Sequence, residues 1–171
     1  HDCLSVRGIA KEISAILDIP LKADPLRSHP DLSLKTDAIQ ITIEEPNLCR
    51  RYIAGYIRGV QVKESPEWLK KALESMGQRS INNVVDATNY VMFHLGQPLH
   101  AFDAGQIIER NGVYAIRVRK AHAGERMVAL DAKEYTLTES MLVIADARAD
   151  AAIGIAGVKG GAPAGITEET S

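Results

Sequence analysis

Cysteine is scarce: Cys3 and Cys49 are the only two in 171 residues. They lack CxxC or Cys/His spacing, which excludes a zinc ribbon, and one pair is too few for a disulfide framework. Both are read as reduced core thiols of a cytoplasmic protein. A surplus of positive charge is also missing. Lys and Arg number 20 against 22 Asp and Glu, for a net charge of -2, which excludes a dedicated non-specific nucleic-acid binder. Any contact with nucleic acid is expected to be local or shared with a larger protein. Long apolar runs are absent too. The longest, Ala151 to Val158, falls far short of the roughly 20 residues that cross a bilayer, so no membrane partner is expected. No basic stretch leads into an apolar one at the start, so no secretory signal is read.

What remains is ordinary globular composition, 46% hydrophobic and 25% charged, enough for one domain with a real core. The chain starts at His1 and enters a helical pattern almost at once, so it is expected to be a piece of a longer chain. Leu4, Val6, Ile9, Ala10, Ile13, Ile16 and Leu17 recur at helical spacing, with Asp2 placed to cap the helix. Pro20, Pro25 and Pro30 then mark residues 20–38 as an extended linker. Ile39, Ile41 and Ile43 alternate with polar residues as in a half-buried strand, and Tyr52 to Val62 reads as a longer one. Ser65 as cap, Pro66 and Glu67 start a second helix that Gly77 stops. A third runs from Ser80, a possible cap, to Gly96. Strands are expected at Val113–Val118, Arg126–Leu130, Tyr135–Leu137, Met141–Ala145 and Ala151–Val158. Strands on both sides of a central helical block predict an α+β fold, with mixed, sandwich-like sheets packed with several helices.

Asn82, Asp86, Asn89 and Phe93 share one face of the third helix. That polar stripe is either a solvated face or a row of amides lining a pocket, where Asn can orient an ammonium, a carbonyl or a ribose hydroxyl. After the helix, Gly96, Pro98 and His100 form a stop, a bend and an imidazole turned back towards it. His100 is either a satisfied structural residue or a group that positions water or polarises an ester carbonyl. Gly154, Gly157, Gly160 and Gly161 fit neither GxGxxG nor GxxxxGK[ST], so no phosphate cradle is read. They leave a bulged strand, or main chain open to close approach by a flat ring at Gly157.

The runs Ile81 to Met92 and Gly96-Gln97-Pro98-Leu99-His100-Ala101-Phe102-Asp103 closely resemble the β subunit of bacterial phenylalanyl-tRNA synthetase. Asp2 to Gly8, Val143-Ile144-Ala145-Asp146 and Ala156-Gly157-Val158-Lys159-Gly160-Gly161 resemble the same family in the same order. The likeness covers nearly the whole chain and corresponds to the editing domain of that subunit, residues 1–171 forming a single such domain. It implies a parent α2β2 enzyme that charges tRNA(Phe), with ATP and Mg2+ used at a synthetic site in the α subunit and no cofactor in this domain. The implied role is hydrolysis of the ester of tyrosine mischarged onto tRNA(Phe), after its acceptor end swings over. The runner-up is a non-catalytic tRNA-binding or scaffold module of the same subunit. A free-standing trans-editing protein is a third and weaker reading.

By position in the family motifs, Thr88 and Asn89 would hold polar parts of the aminoacyl-adenosine. His100 would orient substrate or water as the catalytic residue, and Gly157 would admit the tyrosine ring. The chain departs from the family at Ala162, where Glu usually follows the paired glycines. The glutamate that the resemblance assigns to the tyrosine hydroxyl belongs to a strand beyond Ser171.

Overall fold

The structure, a computed structural model, describes residues 2–22 and 35–171. Most of the expected linker, residues 23–34, lies outside them. The chain divides into two compact units, His1–Lys35 with Lys63–Ala101, and Thr36–Val62 with Phe102–Ser171.

The first unit is helical. Helix α1 (Val6–Leu17) is capped by Ser5, whose Oγ accepts the Gly8 N–H at 3.0 Å. The cap is therefore Ser5 and not the expected Asp2. A hydroxyl with an extended backbone three residues ahead of a free helix donor meets the geometric need. Asp18, in the left-handed conformation at φ 54°, closes the helix. Helix α2 (Glu67–Ser75) begins after Pro66, which itself occupies the cap position without a side-chain bond. Helix α3 (Asn83–Leu95) is capped by Asn82, whose Oδ1 accepts the N–H groups of Val84 and Val85 at 3.1 and 2.9 Å. Gly96 ends it at φ 81°. Both α1 and α2 pack against α3, and Leu69 and Leu73 of α2 are buried.

The second unit holds the sheet. Its strands are β1 (Ile39–Ile43), β2 (Glu109–Arg110), β3 (Val113–Lys120), β4 (Arg126–Val128), β5 (Glu134–Thr136), β6 (Leu142–Asp146), β7 (Ala151–Ile155) and β8 (Lys159–Gly160). The main sheet runs β1-β3-β6-β7-β8, with β2 also paired to β3, while β4 and β5 form a separate hairpin. Strand β1 is parallel to β3, from Ile39 opposite Tyr114 to Ile43 opposite Val118, and the other pairs are antiparallel. This is the expected α+β class with mixed sheets.

Two apolar clusters anchor the unit. One gathers Ala121, Met127, Ala129, Leu137, Val143 and Ala152. The other gathers Ile107, Ile116, Ile153 and Ala164, with Tyr52, Phe102, Tyr114 and Ile144 packed around them. Ala152 and Ile155, three residues apart on β7, reach the same cluster because the β6–β7 register shifts between Ile144 and Ala145. Ile144 faces Gly154 and Ala145 faces Ala152, leaving Ile153 as the additional residue of a bulge.

Three sequence expectations are corrected. Residues 52–62 show alternating burial over much of their length but belong to no ladder among the described residues. Side-chain alternation specifies an extended backbone and not a hydrogen-bonding neighbour. The run expected to be one strand over Ala151–Val158 stops at Ile155, and residues 156–158 turn, with Gly157 at φ 70° and the Val158 N–H on the Ile155 carbonyl. Finally, both cysteines are free as expected, but Cys3 is exposed and Cys49 only half-buried. Neither is a core thiol.

Candidate functional site

Helix α3 divides its polar stripe between structure and surface. Asn82 is consumed as the cap. Asp86 is fully buried and accepts three hydrogen bonds, from the hydroxyls of Ser65 at 2.5 Å and Ser80 at 2.6 Å and from the Ile81 N–H at 2.9 Å. Desolvation pushes its carboxyl pKa up, but these donors outweigh that push and hold it below the ordinary value. Ser65 and Ser80, both expected as helix caps, instead serve this carboxylate. Thr88 is half-buried and its hydroxyl donates to the Val85 carbonyl at 2.7 Å, which leaves the oxygen free to accept. The half-buried Asn89 amide makes no hydrogen bond to any described residue.

His100 follows in the irregular segment after Gly96. Its surface is exposed, yet the protein on its other side lowers the imidazole pKa by desolvation, so the ring is neutral at pH 7. Thr88, Asn89 and His100 all belong to the first unit. Gly157 belongs to the second.

In that second unit Gly157 lines a cavity of about 330 Å³. Val118 of β3, Leu142 and Ile144 of β6, and Leu48, Cys49 and Tyr52 line it as well. The lining is apolar except for a phenol and a thiol. Burial first, and then the neighbouring Cys49, raise the Tyr52 pKa above its ordinary value. The Tyr52 hydroxyl has no hydrogen-bond partner among the described residues. A Cβ at Gly157 would meet nothing within 4 Å. Positive φ, not crowding, selects glycine there. A cavity of this size, apolar with a few polar groups at its wall, suits one flat ring side chain.

Sequence reasoning found Gly157 but missed the cavity's other walls. Cys49 and Tyr52 carried no motif signal. Val118, Leu142 and Ile144 look like any inward-facing strand residues. Conversely, two motif acids turn out to be structural. Asp103 accepts from the Gly105 N–H and the Thr170 hydroxyl, and Asp146 accepts from the N–H groups of Ile108, Arg148 and Ala149.

A family model described as the B3/4 domain matches residues 48–171. This chain belongs to the B3/4 domain family. Every residue of the cavity, and Thr88, Asn89 and His100 as well, falls inside the matched span. Over 99% of its length the chain is 44% identical to the phenylalanine–tRNA ligase beta subunit of Rhodopirellula baltica. It is 45% identical to that of Geobacter metallireducens and 46% identical to that of Dehalococcoides mccartyi, again over 99% of its length. It covers 24%, 20% and 20% of those proteins, so this B3/4 domain spans a fifth to a quarter of its relatives' length.

Proposed function

We propose that this B3/4 domain is the post-transfer editing module of a phenylalanyl-tRNA synthetase, hydrolysing the ester that joins tyrosine to tRNA(Phe). The supporting observation is the apolar cavity beside Gly157, large enough for a single aromatic ring and lined in part by Tyr52. The physical need for such a module is plain. A hydrophobic synthetic pocket discriminates only weakly against a substrate that merely adds a hydroxyl. A second site that hydrogen-bonds that hydroxyl sorts far better, because phenylalanine would leave a buried polar group unpaired.

In this reading, water adds to the ester carbonyl carbon and the bond to the terminal ribose oxygen breaks. Tyrosine and uncharged tRNA leave. Asn89 and Thr88 hold polar parts of the aminoacyl-adenosine, and Asn89 has its amide uncommitted. His100, neutral because desolvation lowers its pKa, orients the water or accepts its proton. Gly157 lets the ring lie against main chain. The parent would be an α2β2 enzyme of the cytoplasm, with ATP and Mg2+ used in the α subunit and the tRNA(Phe) acceptor end as the shared partner.

The test uses the full heterotetramer and tyrosyl-tRNA(Phe). His100→Ala should slow deacylation about 100-fold, with phenylalanine activation unchanged. Unaltered deacylation removes His100 from the mechanism. No deacylation by the unsubstituted enzyme, with charging intact, favours a scaffold module that holds tRNA or organises the subunit.

A further inference from the structure

Gly157 sits in a stretch with few side chains to hold it. From Ala156 to Ala162 the chain reads Ala-Gly-Val-Lys-Gly-Gly-Ala, and Lys159 alone carries a polar side chain. Backbone bonds fix the ends of the turn: the Ala156 N–H donates to the Leu142 carbonyl at 2.9 Å, and the Val158 N–H to the Ile155 carbonyl at 3.0 Å. Strand β8 beyond it is short, with Lys159 opposite Ile155 and Gly160 opposite Gly154. Glycine at 157, 160 and 161 gives this backbone more freedom than any other residue type would. A cavity wall built from it needs an anchor.

Lys159 reaches one. Its Nζ donates to Asp131 Oδ2 at 2.7 Å and to the Tyr135 hydroxyl at 3.1 Å, and that hydroxyl donates to the same Asp131 oxygen at 3.1 Å. Lysine, carboxylate and phenol thus close a ring of hydrogen bonds. The bond between Lys159 and Asp131 raises the pKa of the ammonium and lowers that of the carboxyl, so both stay charged at neutral pH. Tyr135 lies on β5, and Asp131 in the turn between β4 and β5. The same hairpin also meets this stretch through the bridge of Ala129 to Gly161 and the Leu130 N–H on the Gly160 carbonyl at 3.2 Å.

Strand alternation puts the ring of hydrogen bonds across the sheet from the cavity. Tyr135 packs in the cluster that holds Val143, whereas Leu142 and Ile144, on either side of Val143 in β6, line the cavity. Successive strand side chains point to opposite faces. Lys159 itself does not line the cavity. It acts through the main chain that it shares with Gly157, two residues away.

We propose that Lys159 is a positioning residue for the editing role already proposed, on which this inference rests: its clamp to Asp131 and Tyr135 fixes the turn at residues 156–158, and with it the place of Gly157 in the wall that receives the tyrosine ring. The ring meets that wall in the bound substrate and in the transition state alike. Losing such a contact raises KM and leaves kcat unchanged. A merely structural role would lower the fraction of active enzyme instead, and so kcat at constant KM.

The test uses the full heterotetramer. Lys159→Met keeps the length of the stem and removes the ammonium. In deacylation of tyrosyl-tRNA(Phe) its KM should rise about 10-fold with kcat within about twofold of the parent. Lys159→Arg, which keeps a charged donor, should restore KM towards the parent value. An unchanged KM in Lys159→Met, or a fall in kcat alone, overturns the proposal. Hydrogen exchange reads the clamp without any need for activity. The Val158 amide should exchange about 10-fold faster in Lys159→Met, with the amides of β3 unaffected. Equal exchange at Val158 also overturns it. Failure of the editing role looks different: the unsubstituted enzyme then does not deacylate at all, and exchange at Val158 decides whether the clamp exists.

Discussion

Asp86 is the most deeply buried polar residue described in the helical unit. Its carboxylate joins Ser65, before α2, to Ser80 and Ile81, before α3, at full burial. Removing it would strand three donors at once. Asp86→Ala should therefore cost about 3 kcal/mol, read as a shift of the urea midpoint, and Asp86→Asn, which keeps the volume and one acceptor oxygen, should cost less. Equal stability of Asp86→Ala and the parent would show that water replaces the lost acceptor. The spacing of Asn82, Asp86 and Asn89 was legible in the sequence; which of them turn inward was not. Polar residues at helical spacing look alike whether they meet water or hydroxyls, and the partners of Asp86 come from two other segments. The one usable signal was an excess of cap-like serines, since Ser65 and Ser80 are both spare once Pro66 and Asn82 hold the cap positions.

Among the elements, helix ends were the most legible because local chemistry dictates them. Gly96 and Asn82 act within one turn of the groups they satisfy. Strands were less legible where a partner or a bulge decides the outcome. Residues 52–62 alternate correctly and still pair with nothing described, and the run from Ala151 breaks at Ile155 because a turn follows. The glycines of this stretch differ in what they tolerate. At Gly161 a Cβ would stand 2.7 Å from the Ile153 carbonyl oxygen and 3.0 Å from its carbon, so the backbone must move. Gly161→Ala should destabilise the second unit by about 2 kcal/mol. Gly157→Ala meets open space but sits at φ 70°, which costs nearer 1 kcal/mol. Thermal melts of the two variants should keep that order, and a reversed order would contradict the crowding at Gly161.

At the scale of the whole molecule, one buried ion pair governs the response to acid. Arg119 is 2% exposed and grips Glu125 through both terminal nitrogens at 2.8 Å, while also reaching Asp150 and two carbonyl oxygens. The hydrogen bonds from Arg119 come first among the forces that lower the Glu125 pKa from 4.5 to about 2. A carboxylate depressed on folding adds stability that is complete above its unfolded pKa and disappears as pH falls through the folded one. The loss should thus run from about pH 4.5 down to about 2 and amount to roughly 3 kcal/mol. Asp86 and Asp150 are shifted in the same direction. Calorimetry from pH 6 to pH 2 should show the decline, and Glu125→Gln should flatten it at the cost of lower stability at pH 6. An unchanged slope in that variant would assign the acid response elsewhere. Nothing in the sequence separated Arg119 from its neighbours Arg117 and Lys120, because only the folded sheet buries it.

The surplus residue at Ile153 reaches further than its own strand. Past it, the parity of β7 is inverted, so every later side chain stands on the side that an even ladder would have given to its neighbour. The turn carrying Gly157 inherits that choice, and so the side of the pleat from which the chain enters it is settled by one surplus residue.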